Sequence, residues 1–140
     1  MKKNIETSIT INAGAEKIWN ILIDFEKYPQ WNPFILSIEG VAKEGSRLKA
    51  NIQGMRFKPL VLAAKKHQEF RWLGHLLFRG LFDGEHYFLL KENNDRTTTL
   101  THGENFSGLL VSVFSKSLDE KTRAGFEKLN QALKERAELS

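Results

Sequence analysis

Three side chains capable of acid–base chemistry, His86, His102 and Glu104, fall on the apolar face of two successive predicted strands. Apolar residues alternate with a period of two in both segments, which is typical of strands with one buried face. The inward positions are Gly84, His86, Phe88 and Leu90 in the first segment and Thr98, Leu100, His102, Glu104 and Phe106 in the second. The opposite phase would bury Glu85 and Lys91, which costs more. The pattern therefore predicts a polar cluster inside an apolar core.

The hairpin between these strands should bring the three side chains together. A polar turn around Asn94 joins the strands, and a three-residue turn there pairs His86 with either His102 or Glu104. Directly paired residues lie about 5 Å apart and diagonal neighbours roughly 7–8 Å apart, so either register makes a cluster. A buried carboxylate without a partner is costly, so we expect Glu104 to bond to an imidazole.

This cluster is compatible with four roles. The most expected is a self-satisfied hydrogen-bonded group that fixes the register of the hairpin. The next is recognition of a hydroxyl, carbonyl or carboxylate of a ligand inside an apolar pocket. The third is general acid–base catalysis, with His86 or His102 moving a proton and Glu104 orienting the imidazole. A metal site with two histidines and one carboxylate is the least expected role, so we predict no metal and no cofactor.

The rest of the sequence supplies strands and two short helices. Residues 4–11 alternate as a half-buried strand, and the first helix follows Asn12, a residue type that caps helix starts. A second helical turn around residues 26–30 ends before Pro33. Predicted strands follow at 34–40, 47–53, 57–66 and 69–74. In the first of them Phe34, Leu36 and Ile38 are expected to share one face.

A long helix is predicted from about Leu109 to Ala137. Its apolar stripe consists of Leu110, Phe114, Leu118, Phe126, Leu129 and Leu133. Gly125 interrupts the helix at a cost of about 1 kcal/mol relative to alanine, which a close approach or a bend could offset. The expected fold is α+β, with a curved antiparallel sheet of about seven strands wrapped around this helix. Such a sheet tends to leave a cavity against the helix, where ligands bind.

Composition narrows the class of protein. The chain has 140 residues, which is typical of a single domain spanning 1–140. It contains no cysteine, which excludes disulfides and thiol chemistry and suits a cytoplasmic location. The net charge of +4 comes from dispersed lysines and arginines rather than a basic stripe, so we predict no nucleic-acid partner. No apolar run approaches about 18 residues, so we expect no integral membrane association.

Three segments resemble the SRPBCC or START-like superfamily, which has the helix-grip fold. They are "INAGAEKIWNILIDFEKYPQWNPFI", "GLFDGEHYFLL" and "TTLTHGENFSGLL". The branch of polyketide cyclases/dehydrases and lipid-transport-like proteins is the most similar, and the likeness extends over nearly the whole chain. The resemblance implies a deep hydrophobic cavity between sheet and long helix. It also implies one of several functions, because members include lipid carriers, aromatic polyketide cyclases, quinone-binding proteins and chaperone regulators.

The combined prediction is a protein that binds a small hydrophobic molecule such as a lipid, an aromatic polyketide or a quinone-like compound. The expected lining residues are Trp31, Phe34, Trp72, His86, Phe88, His102, Glu104 and Phe114. The resemblance places Trp31 at the rim of the cavity. A cyclase or dehydratase that uses His86, His102 and Glu104 is the alternative. A third possibility is a protein-interaction module acting through the apolar segment Leu76–Phe82, for which burial is nevertheless the first expectation. No oligomeric state is predicted.

Overall fold

The computed structural model describes residues 2–139 and contains eight strands, two short helices and a long C-terminal helix. The strands are β1 (Lys2–Ile11), β2 (Ile35–Glu39), β3 (Lys49–Ile52), β4 (Met55–Phe57), β5 (Leu60–Lys65), β6 (Glu69–His75), β7 (Asp83–Glu92) and β8 (Thr98–Ser107). The helices after β1 are α1 (Ala15–Ile23) and, beyond a 3-10 turn at Phe25–Lys27, α2 (Tyr28–Trp31). The terminal helix consists of α3 (Val111–Ser117), a π-helical turn (Leu118–Thr122) and α4 (Arg123–Glu138). This order confirms the predicted α+β helix-grip architecture.

The strands form two antiparallel sheets rather than the single sheet that was predicted. One sheet has the order β1-β8-β7-β6-β5, and the other has the order β2-β3-β4. A single bridge between Arg47 and Leu60 joins the two. The predicted strand 57–66 is interrupted at Pro59, which has no N–H to donate to a ladder, so β4 ends before it and β5 begins after it.

A bulge in β2 changes which residues face the core. The register of β2 against β3 shifts between Ile35 and Ser37. Ile35 and Ile38 are therefore buried, and Leu36 is exposed, although alternation from Phe34 predicted Leu36 to be inside. An extra residue in one strand reverses the inward and outward alternation that follows it.

The long helix covers the larger sheet mainly with its second half. Phe126, Leu129 and Leu133 of α4 are fully buried, as their spacing predicted. In α3 the predicted stripe is wrong, because Phe114 is 45% exposed. This part of the helix packs instead on the connector between β6 and β7, where the backbone N–H of Leu110 donates to the carbonyl of Leu81.

The connector Leu76–Phe82 is partly exposed rather than buried. Leu77 and Phe78 are 86% and 59% exposed, whereas Phe82 is half-buried and packs against Phe106 and Phe114. Exposure of two large apolar side chains exceeds what the sequence led us to expect. No helix among the described residues is long and apolar enough to cross a bilayer.

Candidate functional site

The β7–β8 hairpin selects one of the two predicted registers. His86 pairs with Glu104, and Phe88 pairs with His102. The turn consists of residues 94–96 and is closed by a hydrogen bond of 2.7 Å from the N–H of Asn93 to the carbonyl of Thr97. Arg96 takes the left-handed conformation, with φ of 70°, that commonly ends a three-residue hairpin turn. The turn geometry thereby decides which group lies opposite His86.

A hydrogen-bonded chain runs from β1 through α4 to the two imidazoles. His86 Nε2 lies 2.7 Å from His102 Nε2, and His102 Nδ1 lies 2.8 Å from Asn130 Oδ1. Asn130 Nδ2 donates to Thr7 Oγ1 at 2.8 Å, and that hydroxyl donates to the backbone carbonyl of His102 at 2.9 Å. Neither Asn130 nor Thr7 was predicted from the sequence to belong to the site. A polar residue four positions after Phe126, on the buried side of the helix, was the available signal.

The imidazoles are packed inside a stack of aromatic rings. His102 lies between Phe88 and Phe126, with ring centroids 4.4 and 4.0 Å away and nearly parallel planes. Trp72 stacks on His86 at 4.9 Å. Burial and the neighbouring His86 hold the pKa of His102 well below its usual value. His102 is therefore neutral at neutral pH.

Glu104 connects this buried chain to an open cavity. Its Oε1 lies 3.4 Å from His86 Nδ1, and that nitrogen is buried without a hydrogen-bond partner in the described chain. Glu104 itself is half-buried. A methyl group at Gly84 would collide with Glu104 Oε2, so the glycine provides the space in which the carboxylate sits.

The cavity has a volume of about 240 Å³ and lies between the two sheets and the π-helical turn. Its walls are mostly apolar and include Phe34, Trp72, Phe82, Phe106 and Leu118. The polar side chains on the walls are Gln53, Glu104 and Thr122. Glu104 is the ionisable residue among the described lining residues.

Three of the predicted lining residues, Phe34, Trp72 and Glu104, lie on the wall of this cavity. His86, His102 and Phe88 lie behind the wall, where each is at most 1% exposed. The imidazoles therefore do not line the cavity themselves, and Glu104 and Trp72 lie between them and the cavity.

Trp31 and Phe114 do not line the cavity. Trp31 packs edge-on against Tyr28 and borders a shallow surface depression with Asp24 and Arg136. The turn after Trp31 explains its position. The buried Asn32 side chain accepts hydrogen bonds from the N–H groups of residues 34 and 35, and this turn directs Phe34 inward. Phe114 packs on Phe82 outside the cavity.

A larger concavity of about 430 Å³ lies over the β2-β3-β4 sheet. Charged side chains border it, namely Glu39, Lys49, Arg56 and Lys58. It contains none of the predicted site residues, and no apolar wall comparable to that of the Glu104 cavity. We therefore take the smaller, apolar cavity as the candidate site.

Comparison with known proteins supports the fold and the family. The profile of a family described as "Polyketide cyclase / dehydrase and lipid transport" matches residues 2–138. Among curated proteins none matches the chain. A START superfamily protein from Mycobacterium smegmatis is 26% identical, with 96% of this chain and 97% of that chain covered and a TM-score of 0.74.

Two further solved structures share the fold at lower identity. The hypothetical protein jhp0584 from Helicobacter pylori has a TM-score of 0.83 at 15% identity, with 96% of this chain and 88% of that chain covered. The di-domain ARO/CYC protein StfQ from the steffimycin biosynthetic pathway has a TM-score of 0.79 at 10% identity. The match to StfQ covers 99% of this chain and 52% of that chain. At such identities the likeness concerns the fold alone.

Proposed function

The chain belongs to the family of polyketide cyclases/dehydrases and lipid-transport proteins, and we propose that it binds a small hydrophobic molecule in the cavity that Glu104 borders. The supporting observation is an apolar cavity with aromatic walls and one carboxylate. Ligand-binding cavities typically combine such walls with a small number of polar groups that fix orientation. The cysteine-free sequence supports a cytoplasmic location.

The size of the cavity restricts the ligand. A volume of about 240 Å³ lies below the roughly 300–1,000 Å³ of most ligand pockets. A compact molecule of one or two rings fits this volume better than a long acyl chain does. Burial of its apolar surface contributes about 25 cal/mol for each Å² removed from water.

Filling the cavity tests the proposal. Thr122 lies on the wall in the π-helical turn, and Thr122→Phe places a ring inside the cavity. Val41 is 64% exposed and outside the cavity, so Val41→Phe is the matched control. Calorimetric titration with 2-naphthol should show binding to the wild type and to Val41→Phe, and loss of binding in Thr122→Phe. Equal binding by all three proteins would place the ligand elsewhere. Mass spectrometry of protein from the native host identifies any retained molecule.

A second candidate function is acid–base catalysis, as in a cyclase or dehydratase. It is favoured by the contact between Glu104 Oε1 and the otherwise unpartnered Nδ1 of His86, because such a pair can exchange a proton with a bound substrate. Glu104 would touch the substrate, and His86 would position and polarise the carboxyl group. Removal of a proton next to a ketone is a reaction within reach of this pair.

Hydrogen–deuterium exchange separates catalysis from binding. In D2O, a catalytic site should accelerate exchange of the C1 protons of 2-tetralone, followed by NMR, above the rate in buffer. Glu104→Gln removes the carboxylate that accepts the proton from the substrate and should abolish the acceleration while 2-tetralone still binds. A wild-type rate equal to that of buffer would leave binding as the function, and an acceleration that Glu104→Gln retains would exclude Glu104 as the catalytic group.

A further inference from the structure

The direction of each hydrogen bond can be followed along the buried chain, starting at Thr7. The single hydroxyl proton of Thr7 is donated to the carbonyl of His102 at 2.9 Å. Thr7 Oγ1 therefore accepts from Asn130 Nδ2, at 2.8 Å. This orients the amide so that Asn130 Oδ1 faces His102 Nδ1 at 2.8 Å, and that nitrogen carries the proton.

The same direction continues through both imidazoles. A neutral His102 that carries its proton on Nδ1 has a lone pair on Nε2. His86 Nε2, 2.7 Å away, must then donate to it. The remaining nitrogen, His86 Nδ1, faces Glu104 Oε1 at 3.4 Å. That nitrogen has no hydrogen-bond partner among the described residues, so Oε1 receives no hydrogen bond from the imidazole.

The second oxygen of Glu104 is left as a hydrogen-bond acceptor. Oε1 is the oxygen that faces His86, so Oε2 presents its lone pairs above Gly84, on the cavity wall. Neither oxygen of Glu104 receives a hydrogen bond from the described residues, which leaves Oε2 available to a ligand. A hydrogen-bond acceptor on the ligand, and above all a carboxylate, would face another acceptor at this position and be repelled.

From this geometry we infer that the cavity selects compact apolar molecules that carry a hydroxyl or another neutral hydrogen-bond donor, and that Glu104 accepts this bond. The inference rests on the proposed binding function and adds the polarity of the ligand to it. Fatty acids and aromatic carboxylates of matching shape are excluded, because their carboxylate would face that of Glu104. The specificity-determining residue is Glu104, and His86 positions it.

Three probes of matched shape test the inference in the wild-type protein at neutral pH. They are 2-naphthol, which donates a hydrogen bond, 2-methylnaphthalene, which has no polar group, and 2-naphthoate, which carries a carboxylate. A hydrogen bond to a charged acceptor should make 2-naphthol bind about tenfold more tightly than either of the others. Competition against a fluorescent reporter or calorimetry supplies the three dissociation constants.

Two variants assign the selectivity to the carboxylate. Glu104→Gln introduces a donor and removes the charge, so the preference for 2-naphthol over 2-naphthoate should fall by about fivefold or more. Glu44→Gln makes the same change at an exposed position outside the cavity and should leave the preference unchanged. Thermal unfolding of both variants shows that they remain folded.

The outcomes separate this inference from the binding proposal. If no probe binds, both the proposed function and the inference fail. If 2-methylnaphthalene or 2-naphthoate binds as tightly as 2-naphthol, the cavity binds apolar molecules but the inferred polarity is wrong. If Glu104→Gln retains the wild-type preference, the selecting group is not Glu104 and the inference is overturned.

Discussion

His86 and His102 occupy diagonal positions on neighbouring strands, and their Nε2 atoms nevertheless lie 2.7 Å apart. A hydrogen bond at this distance requires one nitrogen to donate and the other to accept. The two rings therefore cannot both be cations at this contact. Their packing between aromatic rings removes water that could stabilise a second charge.

The first prediction concerns stability in mild acid. The pKa of His102 is lowered in the folded protein, mainly by burial and also by the facing His86. In the unfolded chain a histidine binds a proton near pH 6.5, so below that pH the unfolded state binds more protons than the folded state. The free energy of unfolding should therefore be unaffected by His102 above about pH 7 and should fall, by on the order of 1 kcal/mol, as the pH is lowered to roughly 5.5.

Urea unfolding at several pH values, with two variants, measures this effect. His102→Gln should flatten the decline between about pH 7 and pH 5.5, whatever its own effect on stability. His67→Asn is the control, because His67 has a left-handed backbone, with φ of 65°, that asparagine tolerates. A wild-type stability that stays constant over this range would contradict the assignment of a neutral, buried His102.

The second prediction concerns the turn that directs Phe34 into the core. Asn32 Oδ1 accepts hydrogen bonds from the N–H groups of Phe34 and Ile35 at 3.0 and 2.8 Å. Asn32→Ala leaves both buried donors without a partner and should lower the free energy of unfolding by about 2 kcal/mol or more. Chemical denaturation checks this value.

Two controls accompany Asn32→Ala. Asn32→Asp keeps an acceptor and should lose less stability. Asn51→Ala, which removes one hydrogen bond at the surface, should cost about 0.5 kcal/mol. Equal losses at Asn32 and Asn51 would contradict the role of the turn.

The phase of the β7–β8 strands could be predicted from the sequence, and their register could not. Alternation with a period of two placed His86 and Glu104 on the apolar face, because burying the opposite set would bury charged residues. The choice between two registers depended on which residue of the turn takes the left-handed conformation. That residue is Arg96, which is neither glycine nor asparagine, so its type gave no signal.

The errors at Trp31, Phe114 and Leu36 have local causes. Trp31 is the last residue of a short helix. The turn formed by the Asn32 side chain then directs Phe34, three residues after Trp31, into the core. Leu36 follows a bulge, which no alternation rule anticipates. Phe114 has helical spacing with the buried residues of α4, but the π-helical turn between α3 and α4 inserts an extra residue per turn and rotates the two faces apart. Asn130 was missed because a polar residue in a helix is usually solvated.

The third prediction concerns Gly125, which faces the ring of Phe34. A Cβ atom at Gly125 would lie 2.5 Å from Phe34 Cδ1 and 2.6 Å from Cε1. Gly125→Ala gains about 1 kcal/mol of helix propensity but overpacks the contact, which costs about 1–3 kcal/mol. We expect a net loss of about 1 kcal/mol in the free energy of unfolding. In a Phe34→Leu background, which removes the ring, the same change should be neutral or stabilising. Stabilisation by Gly125→Ala in the wild type would show that Phe34 moves away at no cost.

The last prediction compares two glycines that line the same cavity, Gly84 and Gly74. A Cβ atom at Gly84 would displace Glu104 Oε2, whereas one at Gly74 would lie 3.9 Å from Pro59 Cβ, an ordinary contact. Both variants add one methyl group to the cavity, so their effects on binding through volume alone should be similar.

Gly84→Ala should also remove the acceptor from its position, and the preference for 2-naphthol over 2-methylnaphthalene should fall by about fivefold or more. Gly74→Ala should leave that ratio unchanged even if both affinities fall. The ratio is the informative measurement, because a purely steric effect cancels in it. A similar loss of preference in both variants would mean that the position of Glu104 does not determine selectivity.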